Sequence, residues 1–167
     1  MQTPICDVCL KSDMLCSGCK DKLENNKITQ AEIDISRYIY ELSRKVKSLE
    51  DVKIEKIIES NILLIITGKG DGGKVVGKGG AVVKSLAKKF NKSVRIVEQV
   101  GNFKEFIQSL ISPALIKGVN TVYTPQGETY KVRIPMEHKS ALNVKSEDIE
   151  QIVSSLFNKK VELLFEN

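Results

Sequence analysis

The chain has no tryptophan, four tyrosines, five phenylalanines and a single histidine in 167 residues. So few rings argue against rows of aromatic stacking platforms for bases. His138 reads as a solvated loop residue, and no nucleophile–base pair stands out. No run of 18 apolar residues occurs, which argues against a membrane-spanning helix. The N-terminus lacks the basic-then-apolar order of a signal peptide. The expectation is a soluble, cytoplasmic protein with no membrane partner. Its length accommodates one large domain or two or three small ones.

Cysteine is absent from all but one short stretch, where Cys6, Cys9, Cys16 and Cys19 follow the spacing C-x2-C-x6-C-x2-C. Two residues between cysteines let both thiolates turn toward one metal, and two such knuckles supply a tetrahedron. Disulfides would require an oxidising compartment, toward which nothing in the sequence directs the chain. A redox pair belongs to a larger surrounding domain. An iron–sulfur cluster also accepts four thiolates. Structural zinc fits the ligand type and spacing best. Four cysteine ligands leave no open position for catalysis. About 25 residues cannot bury a real core, so the metal would hold this segment folded.

The net charge of +5 is unevenly spread. Residues 68–95 hold Lys69, Lys74, Lys78, Lys84, Lys88, Lys89, Lys92 and Arg95 against Asp71 alone, a local charge of +7. Residues 101–167 balance eight basic against eight acidic side chains. A solvated lysine face is the ordinary explanation for such a run. Its coincidence with a glycine-rich loop favours phosphate binding.

That loop lies in Val75-Val76-Gly77-Lys78-Gly79-Gly80-Ala81-Val82-Val83. Apolar pairs on both sides can face one core. The Gly-x-x-Gly between them bares the backbone, so a phosphodiester chain can approach closely. A helix opening at Gly80 would turn its N–H groups toward an anion. Two other motifs overlap. Gly68–Gly73 spells G-x-G-x-x-G, with Glu98 near the end of the next strand, as in a dinucleotide fingerprint. The strands before it are joined by too short a turn to be parallel. Gly68–Lys74 spells G-x-x-x-x-G-K, but Val75 stands where a Walker loop needs Ser or Thr. Residues 68–73 therefore read as a flexible entry turn, from which Lys69 and Lys74 can still reach phosphate.

Apolar residues Ile28, Ala31, Ile35, Ile39, Leu42, Val46 and Leu49 recur at helical spacing. The spacing predicts a helix over 28–49, and Thr29 with Glu32 suggests a capping box. Strands over 52–59 and 62–67 follow, joined at Ser60-Asn61, then a helix from about 80 to 90 and a strand over 94–97. The order helix, strand, strand, helix, Gly-x-x-Gly, helix, strand over residues 28–99 resembles a type II KH domain, the mainly bacterial and archaeal form.

A repeat at an offset of 67 residues extends the pattern. Phe90-Asn91-Lys92-Ser93-Val94 matches Phe157-Asn158-Lys159-Lys160-Val161 at four of five positions. Val82 maps to Ile149 and Leu86 to Val153. Expected elements are helices over 103–111 and 146–157 and strands over 114–123, 129–134 and 161–165, with a turn at Gln126-Gly127. Gly77–Gly80 maps onto Val144-Lys145-Ser146-Glu147, which has no glycine, and Ser146 suggests an N-cap. Two such units resemble the archaeal NusA-like tandem KH family, a transcription-associated group, over roughly residues 28–167. The second Gly-x-x-Gly is missing, and the cysteine knuckle is added.

The expected fold class is thus α+β. A zinc-binding module (1–27) precedes a type II KH domain (28–100) and a degenerate KH-like unit (101–167), each unit ordered αββααβ. The expected function is non-enzymatic binding of single-stranded RNA, in transcription termination or antitermination or in RNA processing. Gly77, Gly79 and Gly80 would admit the backbone; Lys78 would contact phosphate beside Lys74, Lys84 and Lys88. Val76, Val83 and Ile96 would wall a base groove, with Arg95 on a base edge or phosphate. Cys6, Cys9, Cys16 and Cys19 would hold structural Zn2+. The alternative is an adaptor whose knuckle docks to a polymerase, ribosome or RNA-processing complex. A nucleotide-binding enzyme is the weakest of the three.

Overall fold

The computed structural model describes residues 1–167. They form an α+β fold with seven α-helices and two three-stranded mixed sheets. The chain divides into two compact units, Met1–Gln99 and Val100–Asn167.

The first unit opens with two short helices, α1 (Asp7–Lys11) and α2 (Ser17–Glu24), each beginning just after a cysteine. The amphipathic helix α3 (Gln30–Ser43) follows. Its start is a complete capping box. Thr29 Oγ1 accepts the Glu32 N–H, and Glu32 Oε2 accepts the Thr29 N–H at 2.8 Å. Glu32 is buried, and its other oxygen accepts the Ile57 N–H, so one carboxylate pins the helix start to the sheet. The helix is shorter than the apolar spacing predicts. After Ser43 the N–H groups of Lys45 and Val46 both turn to Leu42 O, and Lys47–Leu49 form a 3-10 turn that still buries Leu49.

Strands β1 (Ile54–Glu59) and β2 (Ile62–Thr67) form an antiparallel hairpin around Ser60-Asn61. Helix α4 (Gly72–Val76), the Gly-x-x-Gly loop and helix α5 (Ala81–Phe90) carry the chain to β3 (Ser93–Glu98), which pairs parallel with β2. Ile35 and Ile39 of α3, Ile57, Leu63 and Ile65 of the sheet, and Val75, Val82 and Leu86 around the loop share one buried core. Each such aliphatic side chain contributes about 1.5–3 kcal/mol. The antiparallel β1–β2 pair excludes the all-parallel sheet that a dinucleotide fold would need.

The second unit repeats the order: α6 (Phe103–Ile111), β4 (Gly118–Thr124), β5 (Gly127–Pro135), a 3-10 segment at Met136–Ala141, α7 (Ser146–Phe157) and β6 (Lys160–Glu166). The 3-10 segment stands where the first unit has α4. The strands pair β4–β5 antiparallel and β5–β6 parallel. Val132, Ile134, Ile149, Val153, Val161 and Leu163 are buried. Phe157 meets Phe103 and Phe106 edge to face.

The registers confirm the internal repeat. Ile62 pairs with Ser93 in the first sheet, and Thr129 with Lys160 in the second; both pairs span 31 residues and are 67 apart. Other expectations fail. The strand expected over 114–123 begins only at Gly118. Ser146 is the first helical residue of α7 and not its cap, because Lys145 occupies the N-cap position without a side-chain bond. His138 is half-buried in the 3-10 segment, where its Nδ1 accepts the Leu115 N–H at 2.9 Å.

Candidate nucleic-acid interface and cysteine cluster

The core fixes the Gly-x-x-Gly loop from both sides. Val75 and Val82 are fully buried, while Val76, Lys78, Gly79, Lys84 and Lys88 are exposed and Val83 is half-buried. Gly77 has φ 75° and ψ 164°, a region open essentially to glycine alone. A Cβ there would also lie 2.7 Å from Val82 Cγ2. Gly79 and Gly80 have φ 62° and 73°, yet a Cβ on either would meet nothing within 4 Å. The first glycine is therefore required by the fold, whereas the last two face open space.

Lysines gather on that open side. Lys84 Nζ donates to Gly79 O at 3.1 Å and so leans over the loop. Lys88 lies one turn farther along the same face of α5. Lys78, Lys84 and Lys88 have no carboxylate partner, whereas the salt bridges of the first unit's sheet and loops take up Lys53, Lys74 and Lys92. Lys74 is bound to Asp71 at 2.8 Å, which lifts its pKa above the usual lysine value. Arg95 pairs across the sheet with Leu64. Val94 and Ile96 pack on the helix side, so Arg95 projects from the opposite face. Burial lowers its pKa, and its Nη2 has no hydrogen-bond partner. The structure thus brings Val76 through Gly80, Val83, Lys84 and Lys88 together around one loop. It engages Lys74 elsewhere and points Arg95 away.

The neighbouring G-x-G-x-x-G turn is pinned rather than flexible. Glu98 accepts the N–H groups of Gly70 and Gly72 through its two carboxylate oxygens, each at 3.0 Å. Asp71 accepts the Lys53 N–H at 2.9 Å. The acid that completes the dinucleotide-like spacing is thus the internal ligand of the turn. Sequence reasoning also missed Tyr38, whose hydroxyl meets Ser85 Oγ at 2.8 Å and ties α3 to α5. Helical spacing alone gave no sign of that pair.

The four cysteine sulfurs lie within 4.8 Å of one another. Cys6 Sγ is 3.4 Å from Cys9 Sγ and 3.7 Å from Cys16 Sγ. A tetrahedral ion with bonds of about 2.3 Å places its sulfurs about 3.8 Å apart, so the cluster suits a metal such as zinc. The two knuckles are near-copies. Cys6 and Cys16 precede their helices with φ/ψ of −73°/161° and −69°/163°. The Cys16 N–H donates to Cys9 Sγ, and the Cys6 N–H to Cys19 Sγ. Cys6 is lowered to about 6, first by the Cys9 N–H bond. For Cys9 the Cys16 N–H favours the thiolate, but burial and the neighbouring sulfurs outweigh it and push it up to about 12. Four crowded sulfurs cannot all ionise without a cation, which a bound metal would supply. Cys9, Cys19, Ile5, Leu10, Ile28 and Ile33 form a small core of their own, and Arg37 Nε donates to Cys9 O, joining this segment to α3.

No family model matches the chain. It is 30% identical over 66 residues to the probable transcription termination protein NusA of Methanocaldococcus jannaschii, covering 40% of this chain and 36% of that protein. It is 29% identical over 66 residues to the same-named protein of Methanococcus vannielii, covering 40% and 38%. The chain thus matches well under half the length of these relatives. Among solved structures, the crystal structure of APE1850 superposes with a TM-score of 0.58 at 19% identity, over 78% of this chain and 96% of that one. That likeness concerns the fold alone. No helix is long and apolar enough to cross a membrane.

Proposed function

We propose that the chain binds single-stranded RNA in a transcription-related setting, with about four nucleotides crossing the Gly77–Gly80 loop. The observation that carries this reading is the open approach to Gly79 and Gly80, flanked by Lys78, Lys84 and Lys88, none of which is held by a carboxylate. Val76, Val83 and Ile96 would wall the bases. Distant similarity to proteins named as transcription termination factors supports the setting. Residues 28–100 would be the RNA-binding domain and 101–167 its support. Val144–Glu147 has no residue of positive φ, and the exposed Glu147 repels phosphate. Residues 1–27 would form a zinc module held by Cys6, Cys9, Cys16 and Cys19.

Fluorescence anisotropy with short single-stranded RNAs tests the grip. Gly79→Asp adds a negative charge in open space at a left-handed position that Asp tolerates. The expected result is binding by wild type and loss in the variant, which still unfolds cooperatively with only a small drop in melting temperature. Equal binding by both, or by neither, overturns the reading.

An adaptor role for the cysteine module has one observation in its favour. Val8, between Cys6 and Cys9, and Met14, between Cys9 and Cys16, are 68% and 79% exposed. Exposed apolar side chains on so small a module suit a protein partner.

A further inference from the structure

We infer that two copies of this chain pair through strand β4, edge to edge and antiparallel, and so join their second sheets across a two-fold axis. This inference does not depend on RNA binding.

An outer strand leaves backbone N–H and C=O groups open to pairing, and proteins usually guard such edges with charge or irregularity. Three of the four outer strands here are guarded. Strand β1 carries Glu55, Lys56 and Glu59 and a register shift between Ile54 and Lys56. Strand β3 carries Arg95 and Glu98, and β6 carries Lys160, Glu162 and Glu166. Strand β4, Gly-Val-Asn-Thr-Val-Tyr-Thr, has no charge, no proline and seven uninterrupted pairs with β5. Tyr123 at its far end is 77% exposed.

The strand is also complementary to itself. Antiparallel pairing centred on Thr121 sets Thr121 against its own counterpart and Gly118 against Thr124. Val119 falls opposite Tyr123 of the second copy, twice. β-branched–aromatic and Thr–Thr pairs across strands are favourable, and no like charges meet. Val119 and Tyr123 share the face that carries Val132, so each exposed ring would cover a half-buried valine. A two-fold contact needs this self-complementarity. Seven residues a side make a small interface, so the dimer is weak and depends on concentration.

Sedimentation equilibrium on the nuclease-treated full chain tests this, because nuclease removes RNA that could bridge copies. Wild type is expected to show a monomer–dimer equilibrium. Thr121→Lys, which places two ammonium groups face to face, is expected to weaken it at least tenfold without changing the melting temperature. Wild type that stays monomeric up to millimolar concentration overturns the inference, as does a dimer indifferent to Thr121→Lys. Hydrogen exchange on wild type is an independent check. Protection of amides 118–124 should rise with protein concentration, and a rise confined to any other segment refutes the β4 pairing.

Discussion

Asn91 and Asn158, 67 residues apart, take the same left-handed conformation, with φ/ψ of 51°/42° and 50°/45°. Each ends the helix that leads into a parallel strand. The lysine after each turns back to its hairpin: Lys92 Nζ donates to Ser60 O, and Lys159 Nζ to the Tyr130 hydroxyl. The sequence repeat Phe-Asn-Lys therefore records a backbone need, since asparagine tolerates this region far better than β-branched residues do. Asn91→Val and Asn158→Val should each cost about 1–2 kcal/mol, and Asn→Gly at either site should stay within about 0.5 kcal/mol of wild type. Urea denaturation curves read both.

The glycines of the loop should separate by stability. Gly77→Ala meets Val82 and a glycine-only backbone region, so a loss of about 2–3 kcal/mol is expected. Gly80→Ala meets open space and should lose about 1 kcal/mol. Equal losses in chemical denaturation would contradict this division.

Asp71 sets a pH dependence. The Lys74 ammonium, and then the Lys53 N–H, hold its carboxyl below the ordinary range. A depressed carboxylate contributes stability above its unfolded value, about 3.9, and loses it as pH falls through the folded value. Asp71→Asn should therefore be less stable than wild type at neutral pH, and the gap should close in acid. Urea midpoints from pH 7 down to the acid limit measure it.

The cysteine cluster predicts one zinc per purified chain and proton release on loading, because the Cys9 thiol is held protonated until a cation arrives. Elemental analysis and a pH-indicator titration check these. Chelation or Cys9→Ser should remove hydrogen-exchange protection from α1 and α2, whose small core is built around Cys9 and Cys19. Protection in β5 and β6 should persist.

Much of the fold was legible because its devices are local. The Thr29–Glu32 box, the apolar runs of β1 and β2, the four cysteines and the 67-residue repeat depend on neighbours in sequence. The end of α3 was not, because apolar spacing continues through Val46 and Leu49 while the backbone changes to a 3-10 turn with no glycine or proline to announce it. Side-chain destinations were the least legible. Lys74 and Lys84 read alike as free positive charge, yet one is spent on Asp71 and the other leans over Gly79. Strand alternation could have shown that Arg95 and Ile96 face opposite ways.

Glu98 gives the glycine-rich region a division of labour. A carboxylate clasping the amides of Gly70 and Gly72 acts as a built-in plug. An incoming phosphate would have to evict a tethered competitor at that turn, whereas none guards Gly79 and Gly80. The chain thus seals the Gly70–Gly72 turn from within and leaves the approach to Gly79 and Gly80 open.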